Sequence, residues 1–250
     1  MRAIILAAGR GSRMGSITED SPKCLTQIAG QSLLRWQIRA LRQEGINQIA
    51  IVRGYMANKI SAPDCVIFEN PNWSTSNMVK SLTYATTWLA ESNCIISYSD
   101  IVYHPKIVRE LINTTSNLAI TYDQEWLPLW SSRFDDPLQD AETFKLTPDG
   151  KLQSIGNKAK SITDIEGQYM GLLKLSPIGW EQILMVLNSL PPCQADTLEM
   201  TSLLQLLVES GIKIEAVPIS GRWCEIDNQS DLKVYETRLN SEKWLHDWRW

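Results

Sequence analysis

Histidine is nearly absent from this chain, His104 and His246 being the two among 250 residues. With neither a Ser-His-Asp nor a Cys-His set suggested by spacing, covalent hydrolase chemistry has little support. Cysteine is sparse too: Cys24, Cys65, Cys94, Cys193 and Cys224 are odd in number, widely spaced and without a CxxC pair. This argues against a disulfide framework or a zinc cluster and for a reducing, cytoplasmic setting. Basic runs and stripes are lacking, and a formal charge of −4 with a pI near 5.3 argues against nucleic acid or a membrane surface as partner. No apolar run is long enough to span a membrane, and the short one near the start is wrongly flanked for a signal peptide. Repeats and low-complexity segments are missing as well. The expectation is a soluble protein for a small ligand, with a single domain over residues 1–250, because that length supports one large core. A homo-oligomer is compatible with it.

What is present starts at residues 3–25, AIILAAGRGSRMGSITEDSPKCL. Ala3 to Ala7 form a short continuous apolar run, the pattern of a strand buried on both faces of a parallel sheet. Gly9, Gly11 and Gly15 then let the backbone turn tightly and aim amide N–H groups outward as anion donors, which suits a polyphosphate. Arg10 and Arg13 add fixed positive charge, and Lys23 follows Pro22, whose locked φ favours an extended approach for the ammonium. A dinucleotide fingerprint would place the third glycine one residue earlier. A P-loop would place G-K-[ST] at the opening of a helix, and neither is here. An ordinary βα turn is the plain alternative.

Beyond the loop, Leu33, Leu34, Trp36, Ile38 and Leu41 fall near helical spacing within residues 31–45. Short strands at 49–52 and 66–68 continue a doubly wound α/β pattern. After the Pro71-Asn72 turn, Met78, Leu82, Ala85, Trp88 and Leu89 line one face of a single predicted helix. Ile95 and Ile96 then run into Asp100, a carboxylate at the C-terminal end of a strand, which is the edge where open α/β sheets bind ligands. A hard oxygen ligand beside bound phosphates is what Mg²⁺ requires; a turn cap is the plain alternative.

A strand at 118–122 leads into a polar insertion at about 123–170, carrying Trp126, Trp130, Arg133, Asp135, Asp136, Asp140 and Glu142. Its tryptophans are expected to face solvent and, with the nearby carboxylates, to suit a cationic head group. A satellite core under a long loop is the alternative. A hairpin turning at Asp149-Gly150 and a strand at 169–175 follow, with Lys158 and Lys160 as candidate phosphate contacts or ordinary solvated lysines. Helices at 179–190 and 197–209, separated by Pro191-Pro192, precede a strand at 212–219. Glu225 and Asp227 stand before a helix that Asp231 helps begin, so Asp227 offers a second metal carboxylate. Trp244, Leu245, Trp248 and Trp250, at roughly helical spacing, predict a last helix packed on the body of the protein.

Six segments, LAAGRGSRM, PKCL, ENPNWSTSNMVKSL, ISYSDIVY, EGQYMGLLKLS and WCEIDNQSDL, resemble in this order the nucleotidyltransferase superfamily that joins NTPs to sugar phosphates or phospho-alcohols. Within it they look most like the bacterial phosphocholine and aminoethylphosphonate cytidylyltransferases. The resemblance implies a Rossmann-like, mixed but mostly parallel sheet flanked by helices. It also implies CTP, Mg²⁺ and a small phosphorylated or phosphonylated acceptor, giving a CMP-linked product and pyrophosphate. By position, Leu6, Ala7, Ala8, Gly9, Arg10, Gly11 and Ser12 fall in the loop that approaches base and ribose, and Asn77 and Ser81 in the segment on the nucleotide side. Arg13 and Lys23 match the phosphate contacts, and Asp100 and Asp227 the metal pair. Lys158 falls where relatives place a lysine for the acceptor phosphate, with Lys160 its rival because an Asn precedes Lys158. Trp126, Trp130, Glu142 and Tyr169 fall in the acceptor region.

The implied chemistry is consistent with the residues. An acceptor phosphate oxygen, already anionic at neutral pH, attacks the α-phosphorus in line, so positioning and charge neutralisation suffice without a strong base. Two other readings stay open: a sugar-1-phosphate or amino-acid-phosphate nucleotidyltransferase, and a nucleotide-binding regulatory domain without turnover. The joint presence of Arg13, Lys23, Asp100 and Asp227 counts against the second.

Overall fold

The computed structural model describes residues 1–240 and 243–250. Side-chain alternation along Arg2–Ala7 (β1) decides the layering: Ala3, Ile5 and Ala7 enter one core, Ile4 and Leu6 another. Both faces of this strand therefore need covering, as a period of two demands. The remaining strands are Ile49–Arg53 (β2), Val66–Glu69 (β3), Cys94–Tyr98 (β4), Ile101–Tyr103 (β5), Leu118–Asp123 (β6), Glu142–Leu146 (β7), Leu152–Lys158 (β8), Gln168–Leu175 (β9), Glu215–Ile219 (β10) and Trp223–Glu225 (β11), beside a two-residue ladder at Gln27–Ile28 and Gln31–Ser32. Seven of them form the central sheet in the order β10-β6-β9-β4-β1-β2-β3. Only β9 runs against its neighbours; the other pairs are parallel. The expected mixed, mostly parallel sheet is the one observed.

The helices are Leu33–Gln43 (α1), Met78–Thr83 (α2), Thr86–Glu91 (α3), Pro105–Asn113 (α4), Trp126–Arg133 (α5), Pro177–Ser189 (α6), Pro192–Thr197 (α7), Met200–Glu209 (α8) and Gln229–Arg238 (α9). Leu33, Leu41, Val108, Leu129 and Tyr235 place α1, α4, α5 and α9 in the first core. Val79, Leu89, Ile183 and Leu203 place α2, α3, α6 and α8 in the second. From β1 the chain moves outward through β2 and β3, then crosses to the other side of β1 for β4. The β1/β4 boundary is thus the point where strand order reverses, and a crevice opens there at the carboxyl ends. Among the described residues no helix is long and apolar enough to cross a membrane.

Three sequence expectations need correction. The single helix predicted after Pro71-Asn72 is two, α2 and α3, broken at Tyr84-Ala85, where Thr83 and Thr86 hydroxyls donate to the carbonyls of Lys80 (2.7 Å) and Thr83 (2.6 Å) and compete with the helical ladder. The insertion is not a polar loop with exposed tryptophans: α5 forms in it, and Trp126 and Trp130 are buried with Leu129. The tail does pack on the body, but residues 243–250 are irregular and not helical; Trp248 is fully buried edge-on to Trp36, at 6.2 Å between ring centroids.

Asp123, fully buried at the end of β6, ties this tail to the sheet. Its carboxylate accepts from the amides of Glu125 (2.9 Å) and Gly221 (3.0 Å) and from the Trp223 indole (2.8 Å), and it meets His246 Nε2 at 3.0 Å. Burial alone would push this carboxyl up, but the bonds from His246, Gly221 and Trp223 outweigh it and hold the group below the usual carboxylate range. Stability from a lowered carboxyl is fully present above its unfolded pKa and is lost as pH falls through the native value. Asp123→Ala, which leaves three buried donors without a partner, is therefore expected to cost roughly 2–4 kcal/mol at neutral pH. Urea denaturation should show the gap from wild type closing in acid, and a gap independent of pH would contradict this account.

Candidate active site

At the strand-order reversal, β5 pairs antiparallel with β11, Val102 opposite Cys224, and the Ile226 amide donates to the Asp100 carbonyl at 2.9 Å. This ladder brings Asp100, just past β4, beside Glu225 and Asp227 from far along the chain. One carboxylate oxygen of each lies within 4.8 Å of the other two. Asn228 and Asp231 form a capping box that starts α9, and Asp231 also accepts from the Asp227 amide at 2.8 Å, so the backbone under Asp227 is fixed.

Three cations converge on these carboxylates. Lys23 Nζ bridges Asp100 (2.9 Å) and Asp227 (2.8 Å), Arg13 meets the same Asp227 oxygen at 2.8 Å, and Arg133 reaches Glu225 (3.2 Å), the second Asp227 oxygen (3.1 Å) and Asp231 (3.2 Å). The Arg13 side chain is 66% exposed whereas that of Arg133 is 0%. Burial opposes the Lys23 ammonium, yet Asp100 and Asp227 outweigh it and push its pKa up to about 12. Asp227 would be raised by burial but is held down by Lys23, Arg13 and Arg133, whereas burial and the Asp227 charge push Glu225 up. Asp100 Oδ1 is buried with no hydrogen-bond partner. This all-oxygen donor set suits a hard divalent cation.

The glycine loop opens into a 3₁₀ stretch, Ser12–Thr18, and not into an α-helix. Gly11 has φ +69°, and a Cβ there would lie 2.8 Å from Lys23 Cβ and 2.7 Å from Cδ, so the loop is laid against the lysine stem. Behind it is a cavity of about 240 Å³ lined by Leu6, Ala8, Gly9, Gly11, Ser12, Arg13, Lys23, Asn77, Ser81 and Asp100, with Trp73 and Tyr98. Gly54 permits the tight packing of Trp73: a Cβ at Gly54 would be 2.6 Å from that of Trp73 and 2.8 Å from the Ala8 carbonyl. Ser81 is held by buried Asn70. The Asn72 amide donates to Asn70 Oδ1 (2.9 Å), which orients Asn70 Nδ2 to donate to the hydroxyls of Ser76 (3.0 Å) and Ser81 (2.9 Å).

A second cavity of about 220 Å³ shares Arg13, Asn77, Met78 and Tyr98 with the first and extends to Trp130, Asp140, Glu142, Gln168, Tyr169 and Glu199. Burial, then the charges of Glu199 and Asp140, push the Glu142 carboxyl up. The Tyr169 hydroxyl is buried without a partner.

The structure thus gathers most of the residues singled out from the sequence at two adjoining cavities. Ala7 and Arg10 line neither: Ala7 packs into the core, and the exposed Arg10 lies over Tyr55 at 5.8 Å. Trp126 is a core residue, edge-on to Trp130 at 5.9 Å. Trp130 does line the second cavity, but its indole donates to Asp140 (3.0 Å) and its ring lies against the Arg133 guanidinium at 5.2 Å, so the ring already holds a cation. Lys158 and Lys160 are exposed and line neither cavity. The sequence reading gave no site role to Arg133, Asn70, Trp73, Gln168 or Glu199. Arg133 had one signal, its place three residues after Trp130 on the same helical face.

A model of the MobA-like NTP transferase domain matches residues 3–160. The chain belongs to this family. The CTP:phosphoglutamine cytidylyltransferase of Campylobacter jejuni is 39% identical to this transferase over 250 aligned residues, covering 94% of this chain and 98% of that one. The solved inositol-1-phosphate CTP transferase of T. maritima has the same fold, with a TM-score of 0.74 at 16% identity over 96% of each chain. A CTP:phosphocholine cytidylyltransferase from Streptococcus pneumoniae superposes with a TM-score of 0.67 at 20% identity, covering 96% of this chain and 99% of that one.

Arg133 is the cation of this nucleotidyltransferase that solvent does not reach, and Arg133→Ala leaves three carboxylates facing one another. A loss of about 3–5 kcal/mol is expected. Arg133→Lys keeps the charge but not the planar fork; it should recover part of the melting temperature while pyrophosphate release stays depressed. Equal recovery of both would reduce Arg133 to a structural ion.

Proposed function

We propose that this nucleotidyltransferase is a Mg²⁺-dependent cytidylyltransferase that moves CMP from CTP to a small phosphorylated acceptor carrying an amine, with release of pyrophosphate. The observation that carries the reading is the meeting of Lys23 and Arg13 with Asp100 and Asp227 where the two cavities join. The cavity behind the glycine loop is the nucleotide side, and the one reaching Glu142 is the acceptor side. An acceptor phosphate oxygen attacks the α-phosphorus, the bond from that phosphorus to the bridging oxygen breaks, and the electron pair leaves with pyrophosphate. The amides of the glycine loop and Arg13 bind the leaving phosphates, and Lys23 follows the charge that develops on the transferring group. Asp100 and Asp227, with Glu225 in reach, would hold Mg²⁺, which when bound would supply neutralisation of the charge on the phosphates. The partnerless Asp100 Oδ1 and the all-oxygen donor set support that assignment.

The acceptor assignment rests on polarity. Arg13 stands at the end of the second cavity nearest the catalytic carboxylates, and Asp140, Glu142 and Glu199 stand in its lining without a lysine among them. Such a cavity suits a molecule with phosphate at one end and ammonium at the other, and the phosphoglutamine named for the Campylobacter jejuni relative supports an amino-acid phosphate as a candidate. Carboxylates, Gln168 and the free Tyr169 hydroxyl do the recognising in this reading, in place of tryptophan faces.

Asp100→Asn and Asp227→Asn should each abolish pyrophosphate release while leaving the fold intact, because an amide cannot match a carboxylate's charge for Mg²⁺. Near-normal turnover at saturating Mg²⁺ would remove that residue from the metal pair. Glu142→Gln should raise KM for amine-bearing acceptors about tenfold, equivalent to ~1.4 kcal/mol, with CTP KM nearly constant. A panel in which neutral phospho-alcohols outperform every amine would overturn the acceptor assignment.

A further inference from the structure

We propose that Lys23 has a second role beyond phosphate contact: in the nucleotide-free enzyme its ammonium closes the carboxylate pair to free divalent cations, and an arriving triphosphate opens the pair by drawing that ammonium away. This rests on the metal assignment made above for Asp100 and Asp227 and adds an order of events to it.

The geometry is one of occupied oxygens. Asp227 Oδ1 holds both Lys23 (2.8 Å) and Arg13 (2.8 Å), and Asp227 Oδ2 holds Arg133 (3.1 Å). Asp100 Oδ2 holds Lys23 (2.9 Å), which leaves Asp100 Oδ1 as the oxygen of the pair with no bond. A bare divalent cation needs several oxygens at once, and to take both carboxylates of the pair it must displace a cation. Arg133 is sealed in, its side chain 0% exposed, and cannot leave without unpacking α5. Arg13, two-thirds exposed, can leave freely but frees no oxygen while Lys23 stays on Oδ1. Lys23 therefore controls access.

The same lysine is coupled to the nucleotide side. Its stem lies against Gly11 so closely that a single added carbon would collide with it, and the residue lines the nucleotide cavity. A triphosphate seated on the glycine loop offers three anionic groups to an ammonium on a flexible four-carbon stem. Once the ammonium and the exposed Arg13 both move to phosphates, Asp227 Oδ1 and both Asp100 oxygens lose their cations, and the nucleotide's own cation can take them. Metal and nucleotide then bind cooperatively, and neither binds well alone.

The test is direct binding of Mn²⁺, read by electron paramagnetic resonance or calorimetry, with and without a non-reactive CTP analogue. Wild type should bind free Mn²⁺ weakly and gain roughly ten- to a hundredfold in affinity when the analogue is present. Lys23→Met, a neutral side chain of similar length, should bind free Mn²⁺ at least about tenfold more tightly than wild type although it turns over poorly, and should gain less from the analogue than wild type does. Adding Asp100→Asn to it should abolish the gain. Lys23→Met that binds free Mn²⁺ no more tightly than wild type overturns the proposal, as does wild type that binds Mn²⁺ equally well with and without the analogue, a result that needs no variant to fold. Absence of Mn²⁺ binding by every form, analogue included, is a different failure, since it removes the metal assignment itself.

Discussion

Two carboxylates do not stay within hydrogen-bond reach of one ammonium unless something compensates their mutual repulsion and the loss of water around them. Here that compensation is shared by Lys23 from the glycine-loop side, Arg13 from the loop itself and Arg133 from the insertion. Each cation comes from a different segment, so the glycine loop, the Pro-Lys turn, α5 and the β11–α9 connection are all referred to one buried point at Asp227. The sheet supplies the platform and the β5–β11 ladder supplies the meeting. Displacing any of these elements leaves charge unpaired in a partly dry site, which penalises distortion far more than lost apolar contact would.

That dependence explains what the sequence did and did not reveal. β1, the glycine loop, Asp100 at a strand end and the general α/β rhythm follow from local rules: an apolar run of strand length, residues able to adopt positive φ, and alternation of strand and helix patterns. Asp227 was legible as a carboxylate before a helix, but its nearness to Asp100 depends on a long-range antiparallel pairing that no local period records. α5 reads as loop in sequence because Ser131, Ser132 and Arg133 follow directly on its short apolar face, and a stripe of Trp126, Leu129 and Trp130 in eight residues is too brief to show a helical period. Arg133 was overlooked for the same reason. Its spacing from Trp130 is a mark only once α5 is known to be a helix, and its position is set by partners from β11 and α9.

The tryptophans show how composition misleads when topology is unknown. Trp126, Trp130 and Trp223 form one chain of edge and tilted contacts, and Tyr235, Trp244, His246 and Trp248 form another, on the side of the sheet that holds α5 and α9. The Trp130 ring lies against the Arg133 guanidinium, and the buried indoles of Trp130 and Trp223 place their polar edges on Asp140 and Asp123. The second cavity takes its character from carboxylates and amides on β7, β9 and the start of α8, segments whose side chains read in sequence as ordinary surface.

The β5–β11 ladder also bears on how the chain acquires its chemistry. The stretch that matches the family, residues 3–160, contains the glycine loop, Lys23, Asp100 and α5, yet Glu225, Asp227 and Asp231 lie beyond it. As the chain leaves the ribosome, Lys23 and Arg133 exist for a time without most of their carboxylates. The ladder acts as a late latch. The ion pairs at Asp227 form only after the last strand has found its place, so the cluster is completed by the last part of the sheet to be synthesised.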